Sequence, residues 1–177
     1  MGIIKKIKIK LNERKMRKDI NTHLDAIEAA YETLISNYTF AKHYKWTSEV
    51  YEDLYDRVIE HDLDKFESKN FEIYRKYLYP VDPLERAYVC GLFSKTVNKH
   101  KLNNRHHWEA RVNDDPSELT YGQTLDCFEE VIDMIARMGE QSLDYYEGFK
   151  NNMNIPDVQK DFIEGILFDL YKSKESY

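Results

Sequence analysis

Six histidines punctuate the chain, and the adjacent pair His61-Asp62 carries the most chemical information. Consecutive side chains on a helix point about 100° apart, so both can reach one point only if the helix ends there. An imidazole nitrogen beside a carboxylate oxygen suits zinc, manganese, iron, nickel or cobalt. Lys65 follows within one turn and offers an ammonium that would neutralise a phosphate beside such an ion. A single His-Asp pair does not make a site. His23 on an earlier segment and Asp133 on a later one add donors of the same kind, giving the order His, His-Asp, Asp along the chain.

That order resembles the HD-domain metal-dependent phosphohydrolases, with His23, His61, Asp62 and Asp133 at the matched positions. The stretch His61-Asp62-Leu63-Asp64-Lys65-Phe66 is similar to the family's His-Asp-x-x-Lys signature, and the resemblance spans residues 20–140. Where the family often has a small residue this chain has Asp64, read here as a turn former. In two-metal members, histidines between the His-Asp pair and the final Asp bind a second ion. The resemblance therefore implies His100 and one of His106 or His107, with His106 preferred because Trp108 would pack beneath the site. The later Asn104-Arg105-His106-His107-Trp108 is also similar to a small HD-like family common in phage and bacterial genomes, which implies the fold more firmly than any activity.

The resemblance implies an all-α, HD-like helical bundle holding one or two divalent transition-metal ions (Mn, Fe, Ni, Co or Zn). It implies a phosphohydrolase that attacks a nucleotide or another small phosphate ester with metal-activated water. Lys65 and Arg105 would counter the charge developing on the phosphate. Two other classes share these ligands: a non-catalytic module that binds metal or a partner, and an HD-type diiron oxygenase.

Several residues near the set have plainer readings. Glu129 and Glu130 precede Asp133 by one turn; both are expected to face solvent, with Glu129 the better candidate for orienting a metal-bound imidazole. His43 lies between Lys42 and Lys45 and reads as surface. Phe71, Tyr74, Tyr77, Leu78 and Tyr79 read as core and rim.

The elements that must position these residues are helices. Ile20, Leu24, Ile27, Tyr31 and Leu34 recur at spacings of three and four, predicting a helix over 15–37 with His23 at the edge of its apolar face. Thr47 or Ser48 would cap a second helix, with Val50, Leu54 and Val58 on one face and His61 extending the stripe. A third runs over 68–78. Asp82, Pro83 and Glu85 supply an N-cap, a first-turn proline and a capping-box acid for a fourth that reaches His100. Residues 101–119 read as irregular. Thr120 and Gln123 form a second capping box before Leu125, Phe128, Ile132 and Ile135, and Gly139 closes that helix. A short helix from Ser142 follows, and a last one from Pro156 with Val158, Phe162, Ile166 and Leu170 as its stripe. About seven helices packed as one domain over 15–177 is the economical arrangement.

Ile7, Ile9 and Leu11 alternate with lysines, so residues 1–14 read as a short strand or a basic arm. The first eighteen residues carry +7 and the rest −13, giving the net charge of −6. An acidic body argues against nucleic acid as a partner except through the arm. Charged residues make up 33% and no apolar run is long enough to cross a bilayer. Two cysteines, Cys90 and Cys127, without a CxxC pairing fit a reducing cytoplasm. The fourteen tyrosines and eight phenylalanines exceed what one small core needs, which fits a homodimer.

Overall fold

A computed structural model describes residues 2–37 and 48–172, so His43 and Thr47 lie outside the described residues. Among the described residues seven α-helices follow one another: α1 Ile3–Asn37, α2 Ser48–Glu60, α3 Ser68–Leu78, α4 Pro83–Asn103, α5 Tyr121–Met138, α6 Ser142–Phe149 and α7 Asp157–Tyr171. The described residues contain no strand, and the fold is an all-α helical bundle.

The local signals act as their chemistry requires. Thr120 and Gln123 close both hydrogen bonds of a capping box, Gln123 N to Thr120 Oγ1 at 3.3 Å and Thr120 N to Gln123 Oε1 at 2.9 Å. Gly139 ends α5 with φ of 55°, a conformation that side chains resist. Asp82 caps α4 by accepting from Glu85 N at 3.1 Å. The Glu85 carboxylate does not complete the expected box. It accepts instead from Val81 N at 2.7 Å and from the buried Arg75 guanidinium, with Nη2 to Oε1 at 2.7 Å, a charge-assisted pair.

Residues 3–14 correct the N-terminal expectation: they are the first turns of α1, neither strand nor detached arm. Lysine and leucine are good helix formers, and extending an existing helix costs far less than nucleating a new element. The period-2 pattern of Ile7, Ile9 and Leu11 also has no neighbouring strand to pair with.

α5 is the axis of the main core and packs against α1, α2, α6 and α7. Its Phe128, Val131 and Ile132 meet Ile27 and Leu34 of α1, Leu54 of α2 and Ile163, Ile166 and Leu167 of α7, all essentially inaccessible. Truncating one of these to alanine would cost about 2–5 kcal/mol. In α7, Ile166 and Leu170 of the expected stripe are buried, while Val158 and Phe162 are half-covered and Gln159 and Ile163 are buried beside them. A second, smaller core joins Met16 of α1 to Phe71 and Tyr74 of α3, with Phe93 and Val97 of α4 against it. The five described histidines gather in one cluster.

Candidate metal centre

α2 stops at Glu60 and the chain reverses through Asp62, whose φ of 58° and ψ of 11° are left-handed. Asp62 is the one non-glycine residue with positive φ among the described residues. Such a conformation costs about 1–3 kcal/mol unless its surroundings enforce it, and it concentrates at functional sites. His61 N to Val58 O at 3.3 Å and Lys65 N to Asp62 O at 3.0 Å fix the bend. The reversal aims two consecutive side chains into one space, with His61 Nε2 3.6 Å from Asp62 Oδ2.

Three other helices and one loop reach the same space. α1 brings His23, whose Nε2 lies 3.2 Å from Asp133 Oδ1 and 3.5 Å from Asp62 Oδ2. The rings of His23 and His61 are 5.5 Å apart. α5 brings Asp133, and α4 brings His100, whose Nε2 is 3.0 Å from Asp62 Oδ1. His106 Nε2 stands 3.9 Å from that same oxygen, and His107 Nε2 is 3.0 Å from His100 Nε2. Donor atoms of His23, His61 and Asp133 lie within 4.8 Å of one another, as do those of Asp62, His100, His106 and His107. Asp62 stands between the two groups, with Oδ2 toward the first and Oδ1 toward the second.

The far sides of the rings are held. Glu129 Oε1 lies 3.2 Å from His61 Nδ1 and 3.0 Å from His106 Nδ1. Asp64 holds His100 Nδ1 at 2.9 Å. Carboxylates on Nδ1 leave Nε2 facing inward, the arrangement that orients imidazoles on metals. Six buried side-chain polar atoms lack a hydrogen-bond partner among the described residues, and four belong to this cluster: Nε2 of His23, His61 and His106, and Oδ1 of Asp62. Close as these atoms are to one another, they are out of hydrogen-bonding alignment. Inward, unpaired nitrogen and oxygen donors are the set that a divalent ion satisfies. These buried His, Asp and Glu groups can hold a metal ion.

The charge state favours the same reading. Burial works against the Asp62 charge, yet His100, His23 and Lys65 hold its carboxyl well below the usual range. Asp133 is depressed likewise by His23 and His61 against its burial. Glu129 is held at about 2, burial being outweighed by His106 and His61. Burial lowers His61, but the carboxylates of Asp133 and Glu129 prevail and raise it to about 9. His23 is raised by Asp133 and Asp62. Burial, then His106 and His100, push His107 down to about 2, so its ring is neutral. The acids are thus ionised, and an entering cation would replace the protons that His23 and His61 otherwise favour.

A cavity of about 320 Å³ opens beside the cluster, lined by His23, Asp62, Lys65 and Arg137 and by Met16, Ile20, Tyr74, Leu78 and Tyr79. Lys65 pairs with Asp62 Oδ2, and Arg137 donates through Nε to Asp133 Oδ1 at 2.8 Å. His23, His61, Asp62, Asp133, His100 and His106 all meet in one cluster. Arg105 does not join its open side: Nε binds Asp126 at 2.6 Å and Nη2 binds Asp114 at 2.7 Å.

Five residues play a larger part than the sequence alone suggests. His107 joins His106 because the backbone there is a tight turn rather than extended, with His107 N bonded to Asn104 O at 3.0 Å. Asp64 is a partner of His100 as well as a turn residue. Glu129 and Glu130 are both buried, against the expectation of solvent. Arg137 follows Asp133 by one helical turn, a spacing that could have flagged it.

The chain belongs to DUF5662, a family of unknown function, whose model matches residues 12–168 and so includes every residue of the cluster. No curated protein and no solved structure matches it.

Proposed function

We propose that this member of DUF5662 is an HD-type metal-dependent phosphohydrolase acting on a nucleotide or another small phosphate ester. The observation that supports it most is the two-sided placement of Asp62, one carboxylate oxygen toward His23 and His61 and the other toward His100 and His106. His23, His61, Asp62 and Asp133 would hold one divalent transition-metal ion (Mn, Fe, Ni, Co or Zn). Asp62, His100, His106 and His107 would hold a second. Bound there, such ions lower the pKa of water toward neutrality and polarise a phosphoryl oxygen.

The remaining work belongs to the chain. Lys65 and Arg137 flank the cavity mouth beside the cluster and would receive the phosphate oxygens, a role the sequence reading gave to Lys65 and Arg105. Each cation is held by a carboxylate ligand, so it is positioned before substrate arrives and costs little reorganisation. Met16, Ile20, Tyr74 and Leu78 would take the organic part of the ester, excluding water from one side. Glu129 and Asp64 keep the imidazoles of His61, His106 and His100 in register throughout.

The test is phosphate release from a panel of nucleoside phosphates by metal-loaded protein. Wild type should turn over at least one of them, and Asp62→Ala should reduce turnover to background. Equal turnover by both would overturn the proposal. Two irons with a charge-transfer absorption and no phosphate release would place the same ligands in the oxygenase class.

A further inference from the structure

The basic character of the N-terminus is not absorbed by the site. At 3.6 residues per turn, Ile4, Ile7 and Leu11 form one line along α1, with Ile3 at its edge. These four side chains are exposed, Ile3 and Ile4 by more than 70%. Lys8 and Lys15 run along one flank of the line and Lys6 and Lys10 along the other. The opposite side of the same turns already has partners: Asn12 Nδ2 donates to Tyr79 O at 2.9 Å, Lys5 reaches Asp82 at 3.7 Å, and Met16 enters the small core. The body therefore fixes which face the stripe presents outward.

This composition works against the helix as an isolated element. Its first turn holds no acid, and cations near a helix N-terminus oppose the macrodipole. Four aliphatic side chains in water add nothing to folding. Both features become favourable against a surface that is anionic outside and apolar just beneath. An acidic protein or a nucleic acid would satisfy the lysines and leave the isoleucines in water. A bilayer interface satisfies both, because aliphatic side chains enter the acyl boundary while flanking lysines meet headgroup phosphates. The rest of the chain, at −13, is repelled by the same surface, so only this end approaches it. The family match begins at residue 12, after the stripe.

We infer that residues 3–18 of α1 dock this protein reversibly on an anionic lipid bilayer, with Ile3, Ile4, Ile7 and Leu11 inserted and the lysines at headgroup level. The cavity beside the metal centre uses Met16, Ile20 and His23 on the opposite side of α1, so docking leaves that lining uncovered.

Co-sedimentation of the full chain with phosphatidylcholine vesicles, with and without phosphatidylserine, tests this. Binding should be at least about tenfold stronger with phosphatidylserine and should weaken with added salt. Ile7→Ser with Leu11→Ser keeps every charge and removes exposed side chains only. It should lower vesicle binding about tenfold while leaving the melting temperature and bound metal unchanged. Failure to bind phosphatidylserine vesicles, or equal binding by wild type and the double variant, overturns the inference. A wild-type dimer that the double variant dissociates, without vesicle binding, would assign the stripe to a second copy of the chain. Retention on duplex DNA without vesicle binding would assign it to nucleic acid.

Discussion

α5 buries four acids, and they meet two different fates. Asp126 and Glu130 face guanidinium groups: Asp126 accepts from Arg57 at 2.6 Å and from Arg105 at 2.6 Å, and Glu130 accepts from the wholly buried Arg111. Glu129 and Asp133, on the same helix, each meet a guanidinium too, Arg57 at 3.5 Å and Arg137 at 2.8 Å, but they also face imidazoles. An arginine is always charged and cannot ligate a metal, so a carboxylate with guanidinium partners alone has no second ligand beside it. An imidazole can shed its proton and offer a lone pair. Residue type and burial are alike in the two sets, and the partner decides whether a buried acid closes the structure or prepares a site. The unpaired inward atoms of His23, His61, Asp62 and His106 can ligate an ion, whereas the unpaired Nε of Arg111 is a donor only and cannot.

If that division is right, substitutions on the two sides should separate stability from metal content. Arg111→Ala strands Glu130 in the core and should cost about 3–5 kcal/mol by urea denaturation, with bound metal per folded chain unchanged. Loss of metal in this variant would break the distinction. Chelation should act on the other side only. At about a hundredfold excess over Kd, bound metal stabilises by about 2.7 kcal/mol, so its removal should lower Tm by about 5–10 °C. Glu129→Gln leaves the ligands in place and weakens their orientation. Metal affinity should fall about 10- to 100-fold by competition titration.

The smallest effect comes from a closed pair away from the cluster. Burial disfavours the Glu85 charge, but Arg75 and the Val81 amide hold its pKa below the ordinary value near 4.5. A depressed carboxyl stabilises above its unfolded pKa, and that contribution is lost as pH falls through the folded value. Stability of wild type should therefore decline below pH about 4.5, and Glu85→Gln should flatten that part of the profile. An unchanged slope would show the pair to be inert.

Much of this was legible in the chain. The apolar periods of α2 and α5, the Thr120–Gln123 box and the Gly139 stop follow from local chemistry, and the structure repeats them. Six of the donors could be chosen because residue type and order along the chain are local facts. What could not be read depends on where helices meet. The burial of Glu129 and Glu130 requires knowing that α5 is covered by α1, α2, α6 and α7, and a helix covered on all sides has no solvent face. Asp64 gained a partner only because α4 ends beside the turn that carries it. The lysine alternation near Ile7 was ambiguous between periods until a downstream helix extended through it.

Elemental analysis of protein purified without chelator or affinity metal tests the central claim most directly. The account predicts one or two divalent ions per chain, lost in Asp62→Ala and retained in Arg111→Ala. Metal-free protein whose melting temperature does not respond to added manganese, iron, nickel, cobalt or zinc would contradict it.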